Sequence, residues 1–156
     1  MKILLDTHNP LFLKSENKEI TEIGKIFRHP IILQFAEKEY KSPCILGSIP
    51  TIKNLEKLLE NDTFKIFFID GDCDLLFTLK DKYSLQVELV YFLSESDTLP
   101  KEIISIKEFK VTIANYWYDL IDFYSNMFRN RKEGINAFIK AGYDLDEKHL
   151  AEYKLL

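Results

Sequence analysis

Apolar residues in the first third of the chain recur at the three-to-four spacing of a helix. This spacing predicts one helix over residues 17–28 and another over residues 52–61, where the hydroxyl of Thr51 can cap the first turn. Residues 30–40 are compatible with either a helix or a strand. Residues 42–50 contain two prolines and a glycine, and this composition predicts an irregular connection.

The middle of the chain carries strand patterns. Residues 64–69 and 74–79 are short apolar runs, and residues 83–92 alternate between apolar and polar side chains. The short separations between these runs favour an antiparallel meander over parallel strands that are joined by helices.

A capped, aromatic-rich helix is predicted after the strands. Ser105 and Glu108 match the capping-box pattern, in which each residue satisfies a main-chain N–H of the first turn. Behind them runs a broad apolar stripe that should face the core: Phe109, Ile113, Tyr116, Trp117, Leu120, Phe123, Tyr124 and Met127.

Two shorter helices are predicted to complete the chain. One covers residues 131–141 and should end at Gly142, and the other should begin at Asp144 or Asp146. Strands in the middle with helices on both sides predict an α+β fold, in which a central antiparallel meander packs with N- and C-terminal helices. The length fits a single domain over residues 1–156.

The composition predicts a globular protein with an acidic surface. Apolar residues make up 46% of the chain, and 25 acidic against 21 basic residues give a net charge of −4. The basic residues are interspersed with acids, and their densest run, residues 129–132, is short, so a nucleic-acid partner is not expected. An acidic surface instead suits a basic protein partner.

The chain lacks the sequence marks of export or membrane insertion. No run approaches 18 apolar residues, and only three consecutive apolar residues precede Asp6, too few for a signal peptide. Cys44 and Cys73 lack the spacing of a zinc site or a disulfide framework. A cytoplasmic protein with reduced thiols and no membrane partner is therefore expected.

Three carboxylates, Asp70, Asp72 and Asp74, stand at alternate positions from the connection between two predicted strands to the first residue of the second strand. Their spacing matches the start of a calcium-binding EF-hand loop, but Leu75 replaces the glycine of the sharp turn and Asp81 replaces the bidentate glutamate. Asp and Gly dominate tight turns because they form local hydrogen bonds or accept positive φ. The segment is therefore predicted to be the exposed tip of a hairpin that binds no metal.

No motif in the sequence predicts a reaction. The histidines and cysteines match no nucleophile or metal pattern, and the five glycines do not form a phosphate loop. The aromatic run at residues 116–118 could stack on nucleic-acid bases, but Asp119 and Asp122 beside it would repel phosphate. Core packing or a protein-binding patch is favoured. The chain is predicted not to be an enzyme and to need no cofactor.

Residues 62–124 present an ordered set of features: a strand, a DGD turn, strands carrying LLFTL and VELVYF, a loop with Ser-Glu-Ser-Asp, and SIKEF opening an aromatic helix. This order resembles the immunity-protein superfamily named after a yeast cell-wall-synthesis regulator, whose members carry a GDGD, strand, strand, SFEEF succession. SIKEF replaces SFEEF here, and the Leu-Pro-x-Asp-Tyr element expected after the first helix is absent. The acidic, aromatic-rich character is also similar to that of immunity proteins of bacterial toxin systems, including contact-dependent growth inhibition.

The resemblance implies a protein that occupies the active or substrate site of a cognate toxin domain. Nuclease toxins bind polyanions and are basic, and an acidic partner exploits the same field. The expected partner-binding residues are Asp70, Asp72, Asp74, Glu95, Asp97, Asp119 and Asp122. The alternative is a non-enzymatic adaptor or regulatory binding module without a toxin partner. The residues leave the toxin's identity and the oligomeric state open.

Overall fold

The computed structural model describes residues 1–9, 28–45, 49–67, 73–91, 100–123 and 129–153. One antiparallel sheet has three strands in chain order: β1 (Lys2–Leu5), β2 (Arg28–Phe35) and β3 (Lys38–Ile45). The other is a four-stranded antiparallel meander: β4 (Thr63–Phe67), β5 (Cys73–Asp81), β6 (Ser84–Tyr91) and β7 (Lys101–Ser105). The described helices are α1 (Ile52–Leu58), α2 (Ile106–Phe123), α3 (Arg131–Lys140) and α4 (Glu147–Glu152). The predicted α+β class and central meander are confirmed.

The three-stranded sheet resolves the ambiguous segment at residues 30–40 as a β-hairpin. Ala36 and Glu37 form its two-residue turn, with φ of 48° and 62°. Left-handed φ at both turn residues is typical of the hairpin turn whose twist matches that of the flanking strands. The irregular connection predicted for residues 42–50 is wrong at residues 42–45, which belong to β3.

Two prolines are tolerated within this hairpin because of their register. Pro43 lies opposite Pro30, and the carbonyl of Pro30 points away from β3, toward β1, where it accepts the Asp6 N–H at 3.0 Å. Neither proline therefore has to donate a hydrogen bond between β2 and β3, so the missing N–H groups cost the β2–β3 ladder nothing.

The meander follows the predicted alternation closely. Leu85, Val87 and Leu89 of β6 are buried, while Tyr83 is 67% exposed because it lies in the turn before the strand. Asp81 holds that turn, since its carboxylate accepts the Tyr83 N–H at 2.7 Å and the Ser84 hydroxyl at 2.8 Å.

Helix α2 forms the centre of the core. Phe109 stacks on Phe77 of β5 with ring centroids 4.7 Å apart, and the described residues of its predicted inner stripe up to Leu120 are fully buried. Tyr124 and Met127, at the end of that stripe, lie outside the described residues. The predicted cap is also present, because the Ser105 hydroxyl accepts the Glu108 N–H at 3.0 Å.

The shorter helices carry the caps that the sequence predicts. Thr51 accepts the Asn54 N–H and starts α1, which ends at Leu58 rather than at residue 61. Asp146 likewise caps α4. The predicted helix over residues 17–28 lies outside the described residues, apart from Arg28, which begins β2.

Gly142 ends α3 as expected, with φ of 102°. Its N–H donates to Ile139 O, and the Tyr143 N–H donates to Phe138 O, both at 3.0 Å. The rings of Phe138 and Tyr143 pack at 5.8 Å, which completes a Schellman cap with its hydrophobic contact. None of the described helices is long and apolar enough to cross a membrane.

Candidate functional site

Asp74 is a buried strand residue and not part of an exposed tip. It is 2% exposed, follows Cys73 at the start of β5, and lies between Phe67 of β4 and Val90 of β6. Among the described residues, its Oδ2 has no hydrogen-bond partner. The prediction of exposure is therefore wrong for Asp74, because strands on both sides of β5 flank it. Asp70 and Asp72 lie outside the described residues.

The Asp122 carboxylate forms an ion pair with another residue of the same chain. The Arg131 guanidinium donates to both of its carboxylate oxygens, at 2.7 and 2.9 Å, and also lies 4.8 Å from the Tyr118 ring centroid. This bidentate pair joins α2 to α3. Glu95 and Asp97, two further residues expected to bind a partner, lie outside the described residues.

Asp119 is the predicted acid that the structure leaves available to a partner. It is exposed on α2, and among the described residues it has no ion-pair partner. Partial burial of its carboxyl, followed by repulsion from Asp122, raises its pKa above the ordinary value. A cationic group brought to Asp119 would favour its ionised form and so oppose both effects.

Asp119 lines a groove between β1 and α2, which we call the β1–α2 groove. It has a volume of about 430 Å³. Its described lining residues come from Met1, β1 and α2: Met1, Lys2, Ile3, Leu4, Glu108, Val111, Thr112, Asn115 and Asp119. Ile3, Leu4 and Val111 make part of the wall apolar, and the exposed carboxylates of Glu108 and Asp119 stand on its helical side.

The β1–α2 groove follows one face of the helix for most of its length. Its α2 residues recur at the three-to-four spacing of a single helical face. Glu108 and Asp119 are eleven positions apart in the sequence, which corresponds to roughly 16 Å along the helix axis. The two carboxylates therefore lie toward opposite ends of the groove.

Three side chains fix Met1, directly before β1, against the rest of the molecule: those of Thr112, Glu102 and Glu108, whose carboxylate lies 3.5 Å from the Met1 ammonium. The Thr112 hydroxyl donates to Met1 O at 3.2 Å, and the Glu102 carboxylate of β7 accepts the Met1 ammonium and the Ala36 N–H, each at 2.9 Å. Burial of Glu102 opposes its ionisation, but these two donors outweigh burial and lower its pKa below the ordinary value. Ser105 then orients α2 directly after β7.

A second concave surface continues from the groove around the β2–β3 turn. It has a volume of about 410 Å³ and shares Met1 and Lys2 with the β1–α2 groove. Three more carboxylates line it, those of Glu37, Glu39 and Glu102, together with Lys38. Acidic groups therefore predominate along this whole side of β1.

A separate cleft on the molecule has the opposite charge. Lys82, Lys107 and Lys110 line it beside the rings of Tyr83 and Tyr153. The Lys110 ammonium is partly engaged there, by Glu56 at 3.3 Å and by the Tyr153 hydroxyl at 3.2 Å. The surface charge is thus divided between an acidic side and a small basic cleft.

Sequence reasoning missed most of the groove. Glu108 entered the prediction only as half of a cap, and neither β1 nor β7 was expected to be a strand. The signals were weak, because Lys2–Leu5 and Lys101–Ser105 span only four and five residues. Along β7, the exposed residues Lys101, Ile103 and Ser105 alternate with the more buried Glu102 and Ile104. This alternation is the one local indication of a strand in this segment.

The arrangement of the described residues suits binding. Within them, His, Cys, Asp and Glu nowhere gather in groups of three that could hold a metal ion. The groove combines apolar walls with a few separated carboxylates, the pattern of a site that fixes a partner by shape and charge. Comparisons with protein-family models, with curated proteins and with solved structures found no match to the chain.

Proposed function

We propose that this chain is a non-enzymatic immunity protein that neutralises a cognate bacterial toxin domain, a basic nuclease, in the cytoplasm of the cell that makes both. Binding through the acidic side of β1 would cover the toxin's active or substrate site. The observation that carries the proposal is the carboxylate of Asp119 in the β1–α2 groove, which has no ion-pair partner among the described residues and is aligned with Glu108 along the same helical face.

Electrostatics support a basic partner. The whole chain carries a net charge of −4, and carboxylates outnumber cations along the two concave surfaces beside β1. Complementary charge accelerates association and disfavours wrong partners. A nuclease domain presents cationic groups to its polyanionic substrate, and the same groups can bind carboxylates.

The order of elements is a second support. In the sequence, a strand, the DGD segment, the strands carrying LLFTL and VELVYF and the capped aromatic helix follow one another in the order of the immunity superfamily named after a yeast cell-wall-synthesis regulator, and the structure adds β7 directly before the helix. The resemblance is one of sequence order, and the toxin-binding role is carried over from it as part of the proposal.

The direct test uses the gene beside the one that encodes this chain. If that gene encodes a large secreted protein, its C-terminal domain should inhibit growth when it is produced alone in the cytoplasm, and co-production of this chain should restore growth. The purified proteins should form a complex whose assembly inhibits cleavage of RNA or DNA. Growth arrest that this chain does not relieve would overturn the proposal.

An adaptor without a toxin partner is the alternative reading. Metabolic or regulatory genes at the locus, together with a stable complex between this chain and one of their products, would favour it. That outcome would leave the acidic groove as the binding surface and would change only the partner.

A further inference from the structure

The basic cleft is built from segments that the tertiary structure brings together. The turn between β5 and β6 supplies Lys82 and Tyr83, the start of α2 supplies Lys107 and Lys110, and Tyr153 follows α4. The cleft has a volume of about 410 Å³, which lies within the usual range of sites for small molecules. It shares no described lining residue with the β1–α2 groove, so it is separate from the surface that carries the proposed function.

Hydrogen bonds hold the walls of the basic cleft in fixed positions. The Ile106 N–H at the start of α2 donates to Tyr83 O at 2.8 Å, which ties the helix to the turn between β5 and β6. The Lys110 ammonium is held by Glu56 and by the Tyr153 hydroxyl, and it lies 5.2 Å from the centre of the Tyr153 ring. A ligand therefore meets groups that are already positioned, which reduces the entropy lost on binding.

Two lysines of the basic cleft keep their charge available to a ligand. Lys82 and Lys107 are exposed, and neither has an ion-pair partner within the ranges that the structure describes. Of the acids next to them in the sequence, Asp81 accepts two hydrogen bonds within its turn, and Glu108 lies 3.5 Å from the Met1 ammonium. The aligned peptide dipoles of α2 add partial positive charge at the same end of the helix. The cleft therefore attracts anions, although the whole chain carries a net charge of −4.

Aromatic surface lines the same cleft. Tyr83 is 67% exposed, so its ring contributes little to the core. Tyr153 is half-buried, and Ile106 extends the apolar part of the lining. The Lys82 ammonium lies 4.8 Å from the centre of the Tyr83 ring, so that charge and ring are presented side by side. A planar ring of a ligand can stack on such a surface while its anionic group meets the lysines.

We infer that the basic cleft binds a mononucleotide, whose phosphate is held by the lysines and whose base stacks on the tyrosine rings. Lysine binds phosphate as a point charge, and stacking on aromatic side chains accepts any base. A nucleic-acid polymer would extend past the cleft onto the surface of an acidic chain. A single phosphate senses only the charges within about 8 Å at physiological ionic strength. The inference goes beyond the proposed function and does not depend on it.

Free nucleotides test this inference on the full chain. The probes are the four ribonucleoside 5′-monophosphates, and each is titrated into the isotope-labelled protein while its main-chain amide signals are followed. Two kinds of partial probe accompany them: the nucleosides, which have the base without the phosphate, and inorganic phosphate, which has the charge without the base. A capped peptide of Asp and Phe combines a carboxylate with a ring, and a hexanucleotide represents a polymer.

At least one monophosphate should give saturable shifts of the Lys82, Tyr83 and Lys107 amide signals. The matching nucleoside and inorganic phosphate should each bind about tenfold more weakly or worse, because each lacks one of the two contacts. Equal binding of inorganic phosphate would mean an adventitious ion only and would overturn the inference. Tighter binding of the peptide or the hexanucleotide would replace the mononucleotide by a macromolecular partner. Shifts confined to other surfaces, or none with any monophosphate, would overturn the inference as well.

Matched variants assign the binding to the cleft. Lys107→Gln and Tyr83→Ser change exposed side chains, so both should fold, and each should weaken binding of the monophosphate by about tenfold. Lys140→Gln removes the same charge from α3 outside the cleft, and Tyr83→Phe keeps the ring, so both should bind as the wild type does. Equal binding by Lys107→Gln and Lys140→Gln would overturn the cleft as the site. Since no variant alters the β1–α2 groove, failure of the wild type to protect against a toxin would reject the proposed function alone.

Discussion

The indole N–H of Trp117 donates a hydrogen bond of 2.9 Å to the main-chain carbonyl of Pro50, which lies directly before the Thr51 cap of α1. Trp117 is fully buried, and its ring meets those of Tyr116 and Phe138 edge-on. One side chain therefore links the central helix to the start of α1 and to α3.

Two substitutions of Trp117 should destabilise the protein to different extents. Trp117→Phe keeps an aromatic ring but leaves the Pro50 carbonyl without its indole donor, at a cost of about 1–3 kcal/mol. Trp117→Ala also creates a cavity and should cost about 3–5 kcal/mol. Urea unfolding measures both changes as shifts of the midpoint at constant slope. A Trp117→Ala midpoint equal to that of the wild type would contradict the burial of this ring.

Glu102 should make stability depend on pH in the acidic range. Its pKa is lowered in the folded protein, so the ionised form favours folding. This contribution is fully present above the ordinary value near 4.5 and is lost as the pH falls through the folded pKa. The free-energy difference between wild type and Glu102→Gln should therefore be largest near neutral pH and shrink toward pH ~3.

The control for this titration is Glu60→Gln, which removes the same charge from an exposed residue after α1. Its free energy of unfolding should follow the wild-type value across the same pH range. If the free energy of unfolding of Glu102→Gln also runs parallel to that of the wild type across this pH range, the charge of Glu102 does not hold the start of β1 and the β2–β3 turn together.

The β2–β3 turn should gain stability from glycine at one position. Glu37 holds φ of 62°, a conformation that costs a residue with a Cβ roughly 1–2 kcal/mol. The greater freedom of glycine in the unfolded chain offsets part of that relief. We expect Glu37→Gly to raise the free energy of unfolding by roughly 0.5–1 kcal/mol. Glu39→Gly, which removes the same charge within β3, should lower it by about 0.5–1 kcal/mol.

Asp74 should be replaceable by an apolar residue with a gain in stability. Its buried Oδ2 lacks a hydrogen-bond partner among the described residues, and an unsatisfied buried group of this kind costs about 1–3 kcal/mol. Asp74→Val should therefore raise the urea midpoint, while Thr78→Val on the same face of β5 should change it little. A lower midpoint for Asp74→Val would mean that the carboxylate is favourably bound in the folded protein.

Under the proposed function, Asp119 should control the rate at which the toxin is captured. Asp119→Asn removes a negative charge from the β1–α2 groove and should slow association and flatten its dependence on salt. Asp119→Lys should slow association further, and Glu60→Gln should leave it unchanged. Stopped-flow mixing over a range of salt concentrations measures these rates. Identical rates for wild type and Asp119→Lys would remove Asp119 from the interface.

The sequence by itself determined the features whose causes are local. Thr51, Ser105 and Asp146 cap helices through hydrogen bonds to N–H groups two or three residues away, and Gly142 ends α3 through its own φ. The alternation of residues 84–91 likewise reports one buried face, because the side-chain period of a strand is two. Such signals need no knowledge of distant residues, and they also sufficed for the α+β class.

Only the tertiary structure decided which short segments pair and what they enclose. β1 is too short to be recognised by pattern, and it becomes a strand because β2, more than twenty residues later, supplies its ladder. Glu102 and Met1 are 101 positions apart, yet their ion pair sets one end of the candidate site. Asp74 looks like a turn residue in the sequence and is buried because β5 begins before it. Contacts of this range depend on how the whole chain packs, so no local periodicity reports them.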